Sequence, residues 1–173
     1  MCSKRWRPSG MRKRSKYRPR EVLVDPVNWV VSGLRPLTTA SDVMGVLRAK
    51  NHLAMKMVVE GKATRQDVDV LIEAFNITEG LCRVDWRLGR DWAQEIRAGQ
   101  DALYALGRRG VELGRFVFTG PELVAANLAM EIHDVQLSKC TVAQMELAIH
   151  EVAKDVRLKR ARSIVKGVSD GGA

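Results

Sequence analysis

The chain has 173 residues, of which 46% are hydrophobic and 5% are aromatic, and its formal net charge is +9. This length suits one domain that buries a core without disulfides or a structural metal, and the hydrophobic content excludes a wholly disordered protein. No run of residues approaches the roughly 18 apolar side chains that a membrane-spanning helix needs, so we expect no membrane contact.

The net charge lies in the first 20 residues. Nine cations and no acid occur in residues 1–20, and the other 20 cations of the chain are matched by 20 acids. With Trp6 and Tyr17 among them, these cations predict a flexible basic arm that binds DNA or RNA by neutralising phosphates and stacking on unpaired bases. A different acidic partner and a merely solubilising terminus are the alternatives. The predicted nucleic-acid-binding residues are Lys4, Arg5, Arg7, Arg12, Lys13, Arg14, Lys16, Tyr17, Arg18 and Arg20.

The same end of the chain argues against secretion. A signal peptide needs an apolar core after its basic residues, and Asp25 and Pro26 interrupt the one candidate. The three cysteines are odd in number and form no CxxC pair, which favours reduced thiols over a disulfide framework or a zinc site. We therefore expect a cytoplasmic protein. A start at Met11 in place of Met1 would leave six cations in the arm.

The helix signals after the arm predict an all-α protein, a helical bundle of four long helices plus one short N-terminal helix. We assign residues 1–20 to the arm, 21–166 to the bundle domain and 167–173 to a disordered C-terminus. The short helix is expected near 26–32, between an Asp-Pro start and Gly33 as its stop.

Two further helices are predicted on either side of residue 60. The first begins after Thr39 or Ser41 and ends near Glu60, with Gly61 following it. Thr64 caps the next helix, which is apolar on two faces and is therefore expected at the centre of the bundle. Its two faces are Val68, Leu71, Ile72 and Phe75, and Val70, Ala74, Ile77 and Leu81.

The second half of the chain is also predicted to be helical. After a break, a helix is expected at about 90–109, where Gly99 allows a close approach to a neighbour. Residues 115–118 are the one candidate strand, and capping boxes at 119–122 and 141–144 begin the last two helices. Their predicted packing faces are Val124, Leu128, Ile132 and Val135, and Val142, Met145, Ile149, Val152 and Val156.

Two polar residues fall within an apolar stripe of the helix that follows residue 120. Asn127 and Asp134 share a line of helix positions with leucine and methionine, and buried polar groups need partners. They form either a structural hydrogen-bond network or a polar pocket that contacts a partner. The candidate partners on other helices are Asn51, His52, Asn76 and Thr78.

A second basic patch closes the final helix. Its cations oppose the negative end of the helix dipole, which is sufficient to explain them, and they could also line one groove with the arm. The patch consists of Arg157, Lys159, Arg160 and Arg162.

The sequence carries no catalytic or cofactor signature. His133 next to Asp134 is similar to a metal-binding dyad, but adjacent helix positions point about 100° apart and only two other histidines are present. We expect His133 and His150 at the edge of the core or on the surface. No Gly-x-Ser-x-Gly elbow and no glycine-rich phosphate loop occurs. We therefore predict no catalytic residue, no metal, no cofactor and no enzyme activity.

Residues 17–20, 50–52 and 128–134 resemble a group of small helical proteins encoded in prophages and related mobile elements of proteobacteria. The resemblance covers roughly residues 16–165. It implies a bacterial cytoplasm and a phage or mobile-element context, and no functional residues carry over from that group.

Two functions are predicted. The first is a non-enzymatic accessory or regulatory protein of a mobile element that binds nucleic acid through the arm, with low sequence specificity because phosphate contacts do not read bases. The alternative is a protein-interaction module, either an oligomer or an inhibitor of a host factor, that acts through the neutral bundle.

Overall fold

The computed structural model describes residues 33, 34, 36, 41–158 and 160. The predicted arm, the short helix near 26–32 and the tail at 167–173 lie outside these residues, as do Lys159 and Arg162.

The described chain consists mainly of five α-helices. They are α1 Ser41–Val59, α2 Arg65–Val84, α3 Ala93–Leu113, α4 Gly120–Lys139 and α5 Val142–Arg157. Two 3-10 turns, Trp86–Leu88 and Arg90–Trp92, connect α2 to α3. The all-α prediction is confirmed, but the predicted number of four long helices is wrong. Each of the five long segments with its own start signal forms a separate helix.

Three of these helices begin with the capping boxes that their sequences contain. The backbone amide of Thr64 donates to Asp67 Oδ2 at 2.7 Å, that of Thr119 to Glu122 Oε2 at 2.8 Å, and that of Thr141 to Gln144 Oε1 at 2.8 Å. A cap of this kind stabilises a helix by about 1 kcal/mol. The predicted starts of α4 and α5 are therefore confirmed.

Helix α2 is the centre of the bundle. It packs against each of the other four helices, and Phe75 and Leu81 are completely buried on its two apolar faces. The prediction that a helix with two apolar faces is central is confirmed. The buried apolar residues form two clusters, and α2 contributes to both, with Phe75 in one and Leu81 in the other.

Helices α3 and α4 approach each other closely at Gly99. A Cβ atom at this position would overlap the side chain of Ala129 and lie 3.2 Å from the ring of Phe75. The close approach predicted for Gly99 is thus confirmed, and it explains which face of α4 is buried. Small side chains, Ala126 and Ala129, fill this seam, so the bulkier Val124 and Leu128 remain exposed.

The packing faces predicted for α4 and α5 are partly wrong. On α4, Ile132 is buried as predicted, but Val124, Leu128 and Val135 are exposed. On α5, Met145 is buried and the predicted core residues Ile149 and Val156 are exposed, because Ala148 lies against Gly80 of α2. The buried residues of α4 and α5 in these contacts are Ala126, Ala129, Met130, Ile132, Leu137, Met145 and Ala148.

Residues 115–118, the candidate strand, form neither a helix nor a strand and pair with no other segment of the described chain. Arg109 of α3 holds this segment, since its guanidinium donates to the carbonyl of Val117 at 2.9 Å and forms an ion pair with Glu122. The hydrogen bond from Arg109 lowers the pKa of Glu122 to about 2. The ring of Phe116 occupies the space that a side chain at Gly110 would need. Residues 115–118 therefore return across the end of α3.

None of the helices in the described segments has both the length and the apolar character needed to cross a bilayer.

Candidate functional site

A groove lies between α2, α3 and α5. It consists of two adjoining cavities of about 240 and about 220 Å³, which share Glu79, Arg83, Arg97 and Gln100. Arg90 of the 3-10 turn before α3 lines one cavity, and Arg160, which follows α5, lines the other. The groove is therefore built from parts of the chain that are distant in sequence and meet around the central helix.

Arginines dominate the groove. Arg83 and Arg97 line both cavities, Arg90 lines the one beside α3, and Arg160 lines the one beside α5. We call these four residues and the space between them the arginine groove. Its lining includes two acids, so two positive charges are in excess within a domain that is neutral overall.

The two acids pair with two of the arginines. Arg83 Nη1 lies 2.7 Å from Asp155 Oδ2, and the hydrogen bond raises the pKa of Arg83 and lowers that of Asp155. Arg97 Nη2 lies 3.7 Å from Glu79 Oε1. Both arginines are exposed, and pairs between exposed charges are weak, typically about 0–1 kcal/mol.

These pairs leave donors for an anion. A guanidinium has five N–H donors, so Arg83 and Arg97 can keep their carboxylates and still donate to a further group. Arg90 and Arg160 form no ion pair with any other residue of the described segments. A planar fork of donors matches the oxygens of a phosphate or a carboxylate, so the site suits an anionic ligand.

The floor of the groove is apolar and its walls carry amides. Phe75 and Leu103 are buried beneath it, and Gln100 Nε2 donates to Asn76 Oδ1 at 3.4 Å and to Glu79 Oε2 at 2.9 Å. Apolar surface beside a few fixed polar groups is typical of sites that bind organic ligands. The arrangement suits a ligand with both an anionic group and a flat apolar part.

A buried polar triad joins α1, α2 and α4 on another face of α2. His133 is 1% exposed, and its ring nitrogens lie 2.8 Å from Thr78 Oγ1 and 3.2 Å from Asn51 Nδ2. Thr78 donates its own proton to the carbonyl of Ala74 at 2.8 Å. Thr78 must therefore accept from His133 Nδ1–H, and His133 Nε2 accepts from Asn51, which fixes the neutral tautomer.

Burial lowers the pKa of His133 to about 4, consistent with a neutral ring. Every nitrogen of the ring is bonded within the protein, so the triad is a structural network rather than a site for a ligand. The prediction that His133 lies at the core edge or the surface is wrong. His150 is exposed, which agrees with the prediction that it lies at the edge of the core or on the surface.

The polar stripe predicted for α4 is wrong at Asn127, whose side chain is exposed. Asp134 is half-buried, and its Oδ2 lies 2.8 Å from Nε2 of His52, one of the predicted partners. The buried polar residues of α4 are instead His133, one position before Asp134, and Gln136, two positions after it. The prediction chose the wrong face of α4. Side chains at adjacent helix positions point about 100° apart, so a shift of one or two positions moves a polar residue from the surface into the core.

The structure describes only some of the predicted site residues. Arg157 and Arg160 of the second basic patch are exposed, and Arg160 lines the arginine groove. Sequence reasoning missed Arg83, Arg90 and Arg97. Their spacing of seven residues was the available signal, but a break between α2 and α3 separates them, so no helical stripe was apparent.

Comparisons assign the chain to no family. It matches no protein-family model, and neither a curated protein nor a solved structure matches it. Within the described segments, no three histidine, cysteine or acidic side chains are grouped so that they could hold a metal ion.

Proposed function

We propose that the protein binds nucleic acid, with the basic arm of residues 4–20 and the arginine groove both contacting phosphates. The observation that carries the proposal is the placement of four arginines around one groove, in a chain whose residues outside the arm have equal numbers of cations and acids. The arm supplies nine cations, and the groove supplies four arginines of the bundle domain.

The two parts contribute differently. Each phosphate that a cation neutralises releases condensed counterions, so an arm with nine cations gives high affinity at low salt and a steep loss as salt rises. The guanidinium groups of the groove, two of which belong to α2 and α3, orient the bound strand without reading its bases. We therefore propose binding with low sequence specificity. We also propose that the protein acts in a bacterial cytoplasm as a non-enzymatic accessory of a phage or mobile element.

The test is a salt titration of binding to labelled DNA and RNA by the full-length chain. One variant replaces the cations at 12, 13, 14, 16, 18 and 20 with glutamine, and a second variant is Arg97→Gln. We expect the arm variant to lose ten-fold or more in affinity and to show a shallower dependence on salt, because each lost phosphate contact removes about 0.7–0.9 from the slope.

The matched control for Arg97→Gln is Arg108→Gln, which removes the same charge from α3 at a position outside the arginine groove, where the arginine pairs with Glu112. It should bind like the wild type. Absence of binding at physiological salt, or an arm variant with unchanged affinity, would refute the proposal.

A second candidate function is protein interaction, and the exposed side of α4 favours it. Val124 is 69% exposed and Leu128 is 41% exposed on successive turns of that helix. Apolar side chains grouped on one helix face are typical of interfaces. If this side forms a dimer, light scattering at micromolar concentration should give twice the mass of the chain, and Val124→Asp should restore the mass of a monomer.

A further inference from the structure

The connection between α2 and α3 exposes two tryptophans. Trp86 is 65% exposed and Trp92 is 39% exposed, each within one of the two 3-10 turns. An indole is the largest apolar side chain, and its exposure on the surface of a protein is typical of a contact with a ligand or partner. We call Trp86, Arg87 and Trp92 the tryptophan corner.

The corner is held rigidly from two sides. The carboxylate of Asp85 accepts the backbone amide of Arg87 at 3.0 Å and the side-chain amide of Gln144 at 2.9 Å. Gln136 Nε2 donates to the carbonyl of Leu88 at 2.7 Å, and the side chain of Leu88 is buried. The exposed rings therefore stand on backbone that α4 and α5 fix in place, which reduces the entropy lost on binding.

A cation lies over one of the exposed rings. The guanidinium carbon of Arg87 lies 5.7 Å from the centroid of the Trp86 ring, within the range of a cation–π contact. Arg90, in the turn that contains Trp92, lines the arginine groove. Of the two acids in this connection, Asp85 caps a turn and Asp91 is exposed. Aromatic faces flanked by arginines fit a partner that alternates flat π-systems with anions, as a nucleic-acid strand does.

We infer that the tryptophan corner stacks unpaired bases, so the protein prefers single-stranded to double-stranded nucleic acid. The inference rests on the proposed function and names its substrate class. In a duplex the bases stack on one another and offer no free face, whereas a single strand can place a base on Trp86 and a phosphate beside Arg87. Stacking on an aromatic side chain changes affinity by about ten-fold per base, and it tolerates any base.

The test measures binding of one mixed-sequence oligonucleotide as single-stranded RNA, single-stranded DNA and duplex DNA to the full-length protein. The variants are Trp86→Ala and Trp86→Phe, with Leu113→Ala as the control, because Leu113 is an apolar residue that is 73% exposed at the far end of α3. We expect Trp86→Ala to weaken binding of single strands about ten-fold and leave duplex binding unchanged. Trp86→Phe should retain most of the affinity.

The outcomes separate this inference from the proposed function. If Trp86→Ala binds all three ligands as Leu113→Ala does, while the wild type still binds in a salt-dependent manner, the proposed function stands and the stacking site is refuted. An equal loss for single strands and duplex, or a change in self-association alone, also refutes stacking and indicates a general contact or a protein surface. Absence of binding by the wild type overturns both. Comparing the RNA with the DNA strand then shows which of the two the corner accepts better.

Discussion

The buried polar triad and the arginine groove both depend on α2, but they use polar groups in opposite ways. Thr78 belongs to the triad and the next residue, Glu79, belongs to the groove, because adjacent helix positions face different neighbours. In the triad the imidazole and the hydroxyl are bonded inside the protein. In the groove the arginines keep donors to spare. Polar side chains bonded within the fold maintain structure, whereas fixed ones with spare donors at the surface are available to a ligand.

The comparison predicts that breaking the triad has the largest effect on stability. His133→Ala removes a buried ring and leaves Thr78 and Asn51 without their partner, so the free energy of unfolding should fall by about 3 kcal/mol. Urea denaturation followed by circular dichroism measures this change. His150→Ala is the control, because that exposed histidine should alter stability by less than about 0.5 kcal/mol. Equal midpoints for the two variants would show that the triad is dispensable.

Acid should weaken the triad next. The pKa of His133 falls from 6.5 to about 4 on folding, so between these values the unfolded chain binds a proton that the folded chain does not. Stability is therefore fully present above pH 6.5 and is lost as the pH falls toward 4, by about 3 kcal/mol at most. Urea midpoints at a series of pH values should show this loss in the wild type and a smaller one in His133→Gln. Parallel losses in both proteins between pH 6.5 and 4 would show that His133 is not the source of the acid sensitivity.

A substitution in the arginine groove should change the free energy of unfolding least. Arg97→Gln removes an exposed pair, so the free energy of unfolding should change by less than about 1 kcal/mol. Its affinity for nucleic acid at low salt should nevertheless fall several-fold, because one fixed phosphate contact is lost. Thermal melts and binding isotherms on the same samples make the comparison. A large loss of stability would mean that Arg97 has a structural role like that of His133.

Most of the fold follows from local signals in the sequence. The capping boxes and glycines place the ends of the helices, and the two apolar faces of α2 identify the central helix. The buried faces of α4 and α5 do not follow, because apolar residues occur around much of each helix. The close contact at Gly99 and the small residues facing it decide which side of α4 packs, and that contact joins residues distant in sequence.

The site is harder to predict than the fold, for the same reason. Arg83, Arg97 and Arg160 come from three parts of the chain and form a groove only after α2, α3 and α5 have packed. Arg160 can be predicted as part of a basic patch, because the neighbouring cations are visible in the sequence. His133 was misplaced because a histidine on an amphipathic helix gives no local sign of partners on two other helices.

The central position of α2 also has a consequence for hydrogen exchange. An amide in the middle of α2 can open only when contacts with all four neighbouring helices are lost, so its exchange should report the unfolding of the whole domain. Amides near the exposed ends of α1 and α5 can exchange through local fraying. The side of the arginine groove formed by α2 should therefore persist through the small openings that a marginally stable domain undergoes many times before it unfolds, whereas the side formed by the end of α5 should open with that fraying.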